Sequence, residues 1–242
     1  GWGDYGATQG NQIMHGSTDG PLSVNQAEGD LSGDVYFNHR EFVEDVVVPA
    51  AGTFPANLRK FRINPGLGGS YNVANPGVIT ADGTPTGAPN LDDLRGLFTW
   101  FRQLALNFTL FEFEGLVIEY RPMSGEDGGA STALGTIIMA TDYDPTNTSG
   151  FGTVGEMLNY DYGNSGKPSV EILHGIETKP SQQTVRMNYI SGVEPPTKDR
   201  IFTDLGLFQY AVQGVPGTVG AKIGELWVSY RCKVSRAKIR MI

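Results

Sequence analysis

The amino-acid sequence predicts an all-β sandwich of eight antiparallel strands, and three observations carry that reading. From Glu225 to Val234, Leu226, Val228, Tyr230, Cys232 and Val234 alternate without a fault against Glu225, Trp227, Ser229, Arg231 and Lys233, as in a long strand with one buried face. Seven further segments rich in Val, Ile, Phe, Tyr and Thr are separated by turns drawn from 33 Gly and 14 Pro with Asn and Asp. Two long connections alone carry helical spacing. A chain of 242 residues suits one large β-domain, and it buries roughly 70–75% of its unfolded surface without staples.

Residues 1–33 are Gly-rich, polar and without a sustained period, which predicts an irregular arm, and a first residue of Gly rather than Met fits the remainder of a longer chain. Residues 34–242 form the expected single domain. Asp34–Val48 is the first strand, and its change of phase between His39 and Val43 predicts a bulge. Leu58–Ile63 follows, closed by Asn64-Pro65-Gly66. In the long link after it, Leu94, Leu97, Phe98, Phe101, Leu104 and Ala105 have helical spacing behind an Asn90 or Asp92 start signal. Thr109–Tyr120 is the third strand, and its apolar parity switches at Gly115, a second bulge site. Leu134–Tyr143 is the fourth, closed by Asp144-Pro145. A second long link holds a short helix at Thr153–Asn159. Ser169–Ile176, Thr184–Ile190, Arg200–Gln213 and the closing strand complete the eight. The two helical links follow the second and fourth strands, so both lie at one end if alternate links occupy opposite ends. That regularity favours a jelly roll of two Greek keys.

Composition excludes several functions. Cys232 is the single cysteine and lies on an apolar face, so neither a disulfide, a thiolate metal site nor a thiol nucleophile is expected. No apolar run spans a membrane and no signal-peptide pattern opens the chain, so a soluble, unexported protein without a membrane partner is expected. His174 falls on an apolar face as a satisfied core histidine, His39 sits beside a bulge with an ion-paired role, and His15 is in the arm. None belongs to a metal-ligand spacing. Nucleophile-elbow and phosphate-loop patterns are missing too, so no enzyme is expected. Asp142 and Asp144 flank Tyr143 at a strand end before Thr146, Asn147, Thr148 and Ser149, oxygen donors of the kind that suits calcium, and ordinary turn chemistry is the alternative. No other cofactor is expected. Asn107-Phe108-Thr109 is a formal glycosylation sequon, expected to be silent.

Charge is segregated. The net charge is −8, yet Arg231, Lys233, Arg236, Lys238 and Arg240 close the chain with no acid among them. Phosphate contact along this strip needs only point charges and guanidinium forks, and Arg59, Lys60 and Arg62 form a second, smaller cluster. Trp2, Tyr5, Tyr71 and Phe151 are loop aromatics, the residue type that anchors interfaces.

Several strings, taken in order, resemble capsid proteins of circular Rep-encoding single-stranded DNA (CRESS-DNA) viruses. They are Gly1-Trp2-Gly3-Asp4-Tyr5, His39-Arg40-Glu41-Phe42-Val43-Glu44-Asp45, Ile63-Asn64-Pro65-Gly66, Asn107-Phe108 with Phe113-Glu114-Gly115-Leu116-Val117, and Gly135-Thr136-Ile137-Ile138-Met139-Ala140-Thr141. Lys167-Pro168-Ser169 through His174-Gly175-Ile176-Glu177, Asp204-Leu205-Gly206 and Gly224-Glu225-Leu226-Trp227-Val228-Ser229-Tyr230 complete the set. The resemblance implies a single jelly roll whose copies form a small icosahedral (T=1) shell around single-stranded DNA, located in the virion and, during assembly, in the host nucleus. That family carries a basic arm before the Gly-Trp-Gly-Asp-Tyr element, so the implied genome contacts fall either to an upstream segment or to the basic strip alone. The Asp142-Tyr143-Asp144-Pro145 ending is also similar to shell domains of tombus-like RNA viruses. A carbohydrate-binding jelly roll using Trp227 is a further alternative, and a cupin-like enzyme is disfavoured for want of a histidine cluster.

Overall fold

The chain runs β1 (Ser23–Gln26), β2 (Val35–Val47), β3 (Arg59–Arg62), β4 (Val78–Ile79), β5 (Pro85–Thr86), β6 (Arg95–Gly96), α1 (Thr99–Ala105), β7 (Phe108–Pro122) and β8 (Thr136–Asp142). It continues through α2 (Val154–Asn159), β9 (Asn164–Gly166), β10 (Ile172–Gly175), β11 (Asn188–Tyr189), a 3-10 turn at Thr197–Phe202, β12 (Leu207–Gln213) and β13 (Lys222–Ala237). This computed structural model describes residues 23–26, 34–49, 54, 58–67, 78–79, 85–86, 95–123, 135–147, 149–179, 183, 185–192 and 197–238. No helix among the described residues is long and apolar enough to cross a membrane.

Two mostly antiparallel sheets face each other. One has the order β1-β2-β13-β7-β10, with β11 on the same edge of β7 as β10; the other has the order β6-β3-β12-β8-β9. β4 and β5 form a separate two-stranded ribbon. The closing strand lies at the centre of the first sheet, with Tyr230 opposite His39 on β2 and Leu116 on β7. Both expected bulges are present. The register steps between Leu226 and Trp227, leaving Val43 of β2 as the extra residue, and between Arg231 and Cys232, leaving Glu114 of β7 beside Gly115.

The central strands β2, β7 and β13 are 13, 15 and 16 residues long, whereas β3, β8, β12 and β9 have 4, 7, 7 and 3. The shorter sheet therefore covers only part of the longer one, and α1 fills the overhang. Phe98 and Phe101 pack there against Phe37, Phe113 and Tyr230, with Phe101 stacked on Tyr230 at 4.9 Å between ring centroids. Each such ring removed from water contributes roughly 1.5–3 kcal/mol. A smaller cluster of Leu58, Ile138, Ala140, Phe151, Met157 and Ala211 lies on the other side of the short sheet, beneath α2.

Helix α1 starts later than the sequence suggests, because its cap comes from another element. Phe98 at the cap position offers no side-chain acceptor, and the Glu41 carboxylate on β2 accepts from Trp100 N at 2.7 Å. Glu41 is buried. Burial pushes its carboxyl up to about 7, opposed by the N–H groups of Trp100, Phe101 and Thr99 and by the Tyr230 hydroxyl. Helix α2, expected at Thr153–Asn159, is capped locally by Thr153 accepting from Glu156 N at 3.1 Å. The expected strand at Arg200–Gln213 begins only at Leu207, after the 3-10 turn, and that at Thr184–Ile190 contracts to Asn188–Tyr189.

Candidate nucleic-acid interface

Alternation in β13 puts Arg231 and Lys233 on the face away from the core, where in-chain carboxylates meet them. Arg231 Nε lies 2.6 Å from Glu114 and its guanidinium sits 5.8 Å over the Tyr36 ring. Lys233 Nζ lies 2.8 Å from Asp34, which also accepts from the Ser235 hydroxyl. The hydrogen bond to Asp34 raises the Lys233 pKa despite partial burial, so the ammonium stays charged within this pair. Two of the five expected phosphate contacts are thus neutralised at home. Arg236 and Lys238 follow, both exposed. Arg236 has a left-handed φ of 59°, held by Thr109 Oγ1 donating to its carbonyl at 3.1 Å while Lys238 N donates to Asn107 O at 2.7 Å. Arg240 lies outside the described residues.

The cluster on β3 is a set of internal braces, because each side chain meets a partner inside the fold. Arg59 is bidentate to Glu44, at 3.2 Å from Nε and 2.6 Å from the terminal nitrogen, and the Tyr210 hydroxyl donates to the same carboxylate at 2.5 Å. Lys60 is 8% exposed and donates to Ser149 O at 3.4 Å. Arg62 is 2% exposed, its Nε 2.5 Å from Asp204. A phosphate cannot reach a guanidinium at that depth without opening the core.

Asp204 anchors a wider network. Asn64 Nδ2 and the Thr203 hydroxyl donate to it at 3.1 and 3.0 Å, Gly66 N donates to Asn64 Oδ1 at 2.8 Å, and Asn188 Nδ2 donates to Asp204 O at 3.3 Å. Gly66 is obligatory there: a Cβ would stand 2.3 Å from Ser191 O. The strings Ile63-Asn64-Pro65-Gly66 and Asp204-Leu205-Gly206 are therefore parts of one buried turn assembly.

The remaining expected site residues fall elsewhere. Asp142 accepts from Asp144 N at 2.9 Å, Tyr160 OH at 3.0 Å and Asn147 Nδ2 at 2.8 Å, while Asp144 accepts from Thr146 N at 2.9 Å and its hydroxyl at 2.6 Å. Both carboxylates close a turn. Among the described residues no group of three His, Cys, Asp or Glu side chains is arranged to hold a metal ion. Phe151 is 2% exposed, tied through its N–H to Gln209 and packed edge-on to Tyr160, so its ring lies inside this chain. Trp2, Tyr5 and Tyr71 lie outside the described residues. His174 is buried, with Nε2 2.8 Å from Thr141 Oγ1 and Nδ1 3.3 Å from Asn164 Oδ1, and burial lowers its pKa to about 4. His39 packs tilted against Trp100, with ring centroids 4.4 Å apart, and its neighbour Arg40 makes the ion pair, with Glu119 at 2.6 Å.

Sequence reasoning missed the stack on the outer face, where Arg40 and Arg121 lie 4.7 and 5.9 Å from the Trp227 ring. The alternation that put Trp227 on that face was its available signal. The face as a whole mixes Arg40, Arg121, Arg231 and Lys233 with Glu112, Glu114, Glu119 and Glu225, so it is no basic surface.

The chain is 26% identical over 237 residues to the capsid protein of tomato bushy stunt virus strain BS-3, covering 92% of this chain and 51% of that protein. Its curated relatives are viral capsid proteins. A second, from artichoke mottled crinkle virus, is 25% identical over 202 residues, covering 84% of this chain and 42% of the relative. The chain thus spans about half the length of the curated relatives it matches. No protein-family model matches it. Among solved structures, cucumber leaf spot virus aligns with a TM-score of 0.59 at 23% identity over 85% of this chain and 57% of that one. Tobacco necrosis virus aligns at 0.63 and 11% over 91% and 89%, and mud crab tombus-like virus at 0.62 and 11% over 90% and 96%. These likenesses establish the fold as that of jelly-roll viral shells. They overturn the resemblance to CRESS-DNA capsids, since the relatives are tombus-like coats of RNA viruses. The nuclear location rested on that resemblance and falls with it. Asn64, Gly66, Asp204 and Gly206 account for part of the misreading: the two strings that hold them are buried turns that serve the fold and carry no information about the genome.

Proposed function

We propose that this chain is the shell-forming part of a tombus-like coat protein, without enzymatic activity, whose copies assemble into an icosahedral virion around single-stranded RNA. The observation that carries the reading is the sequence likeness to a capsid protein over 92% of the chain. The strand orders β2-β13-β7-β10 and β3-β12-β8-β9 support taking these as the eight strands of a jelly roll with two Greek keys. Residues 34–242 are then the shell domain and 1–33 its arm.

Electron microscopy and sedimentation of the purified protein test the assembly. Closed spherical particles are expected in some window of salt and pH, and a monomer under every condition sinks the proposal. Genome contact in this reading belongs to Arg236, Lys238 and Arg240, beyond the ion-paired part of β13. Nucleic acid recovered with the particles should be digested by RNase and spared by DNase. Replacing those three residues by Gln should lower the nucleic-acid content and flatten the salt dependence of binding by about one unit of log–log slope for each phosphate no longer engaged. Unchanged content would assign the genome-binding role elsewhere.

A further inference from the structure

Among the described residues, three aromatic side chains are more than a third exposed: Tyr162 at 61%, Tyr189 at 50% and Phe202 at 52%. They fall at two corners that differ in their exposed charged neighbours. At the first, Tyr162 follows α2 and is accompanied by exposed Leu158, Glu156 and Asp161. Residues 141–166 hold four acids and no Lys or Arg. At the second, Tyr189 on β11 and Phe202 at the end of the 3-10 turn are drawn together by Asn188, whose Nδ2 donates to Ile201 O and Asp204 O, each at 3.3 Å. Exposed Arg186 and Lys198 belong to this corner, with one exposed acid, Asp199, among its described residues, and Arg186 also lies within electrostatic reach of the half-buried Glu112.

Tyr162 also pays for its place within the subunit. Its φ is 61°, the left-handed region that disfavours any residue with a Cβ and above all a bulky one. The turn is tight on its other side too, since a Cβ at the neighbouring Gly163 would stand 2.4 Å from Met157 O. A strained aromatic that is 61% exposed contributes little to an isolated subunit, and glycine would fit the backbone there without strain.

Resting on the shell-forming reading above, we propose that the α2 corner of one copy docks on the β11 corner of the next. Tyr162 and Leu158 meet Tyr189 and Phe202, while Glu156 and Asp161 face Arg186 and Lys198. The occupant is a second copy because one chain carries both complementary halves. Buried aromatic anchors with a rim of opposite charges supply affinity and register. Two different patches make the contact head-to-tail, the kind that closes rings and shells instead of a two-fold dimer.

Assembly of the full chain as a function of protein concentration, followed by sedimentation beside thermal unfolding of the unassembled subunit, tests the contact. Tyr162→Gly should leave the unfolding midpoint equal or raised while increasing the concentration needed for assembly at least tenfold. Glu156→Lys with Asp161→Lys should block assembly, and adding Arg186→Glu with Lys198→Glu in the same chain should restore it. Tyr162→Gly assembling at the wild-type concentration, or the fourfold reversal failing to restore what the acid-corner pair blocks, would overturn the contact alone. So would a lowered midpoint for Tyr162→Gly, which would make Tyr162 part of its own subunit's packing. A wild-type chain that never assembles would overturn the shell-forming reading as well.

Discussion

Tyr230 and Arg231 are adjacent in β13, yet Tyr230 is wholly buried against Phe98, Phe101 and Phe113, whereas Arg231 lies on the opposite face, paired to Glu114 and open to water. The same division runs across β2 and β7. One face of the long sheet is a close-packed aromatic layer whose members have no alternative partners. The other is a mixed field of Arg, Lys and Glu, in which water can replace a removed partner at the half-open Arg231–Glu114 pair but not at the nearly buried Arg40–Glu119 pair. Burial, not the mere pairing of two groups, decides what each residue is worth.

Removing a ring from the buried face should have the largest effect. Phe101→Ala deletes the stack on Tyr230 and opens a cavity under α1, with an expected loss of about 3–5 kcal/mol. Urea unfolding would check it, and a loss near zero would mean that α1 is not part of the core.

Intermediate effects come from the two titrating groups on the inner side, and they oppose each other. Glu41 has a folded value of about 7 against 4.5 when free, so its stabilisation holds below pH 4.5 and is lost as pH rises towards 7. His174 has a folded value of about 4 against 6.5, so its stabilisation holds above pH 6.5 and is lost as pH falls towards 4. Each swing amounts to about 3 kcal/mol. Between pH 4.5 and 6.5 they cancel, and the pair contributes a level stability profile. Glu41→Gln should uncover a rise in stability with pH across this window, and His174→Gln a fall. Chemical denaturation at a series of pH values reads both, and parallel profiles for the two variants would contradict the assignment.

The smallest effect belongs to the outer face. Arg231→Gln breaks an exposed pair, so its cost should stay below about 1 kcal/mol and shrink further in salt. A loss comparable to that of Phe101→Ala would erase the distinction between the faces.

Much of the buried face was legible, because alternation in β13 and the phase changes at Val43 and Gly115 are local properties of the chain. The charged residues were not. Nothing near Arg62 in sequence announces Asp204, 142 residues away, and nothing beside Arg231 announces Glu114 across a bulge. Two of the five members of the basic strip read from spacing alone are therefore consumed by pairs that only the folded sheet creates. Helix α1 illustrates the same limit: its face was evident from Leu97, Phe98, Phe101 and Ala105, but its start depends on Glu41, 59 residues upstream.

The central position of β13 also bears on how a growing chain matures. Strands β2 and β7 do not pair with each other; both pair with β13, which follows them by about a hundred residues or more in the chain. Until the ribosome releases that strand, the long sheet has no middle and its aromatic layer has no floor, and such late, long-range pairing is slow. A chain interrupted before residue 222 would leave β2 and β7 as open edges exposed to aggregation. Emergence of β13 thus acts as a licence for folding of the long sheet.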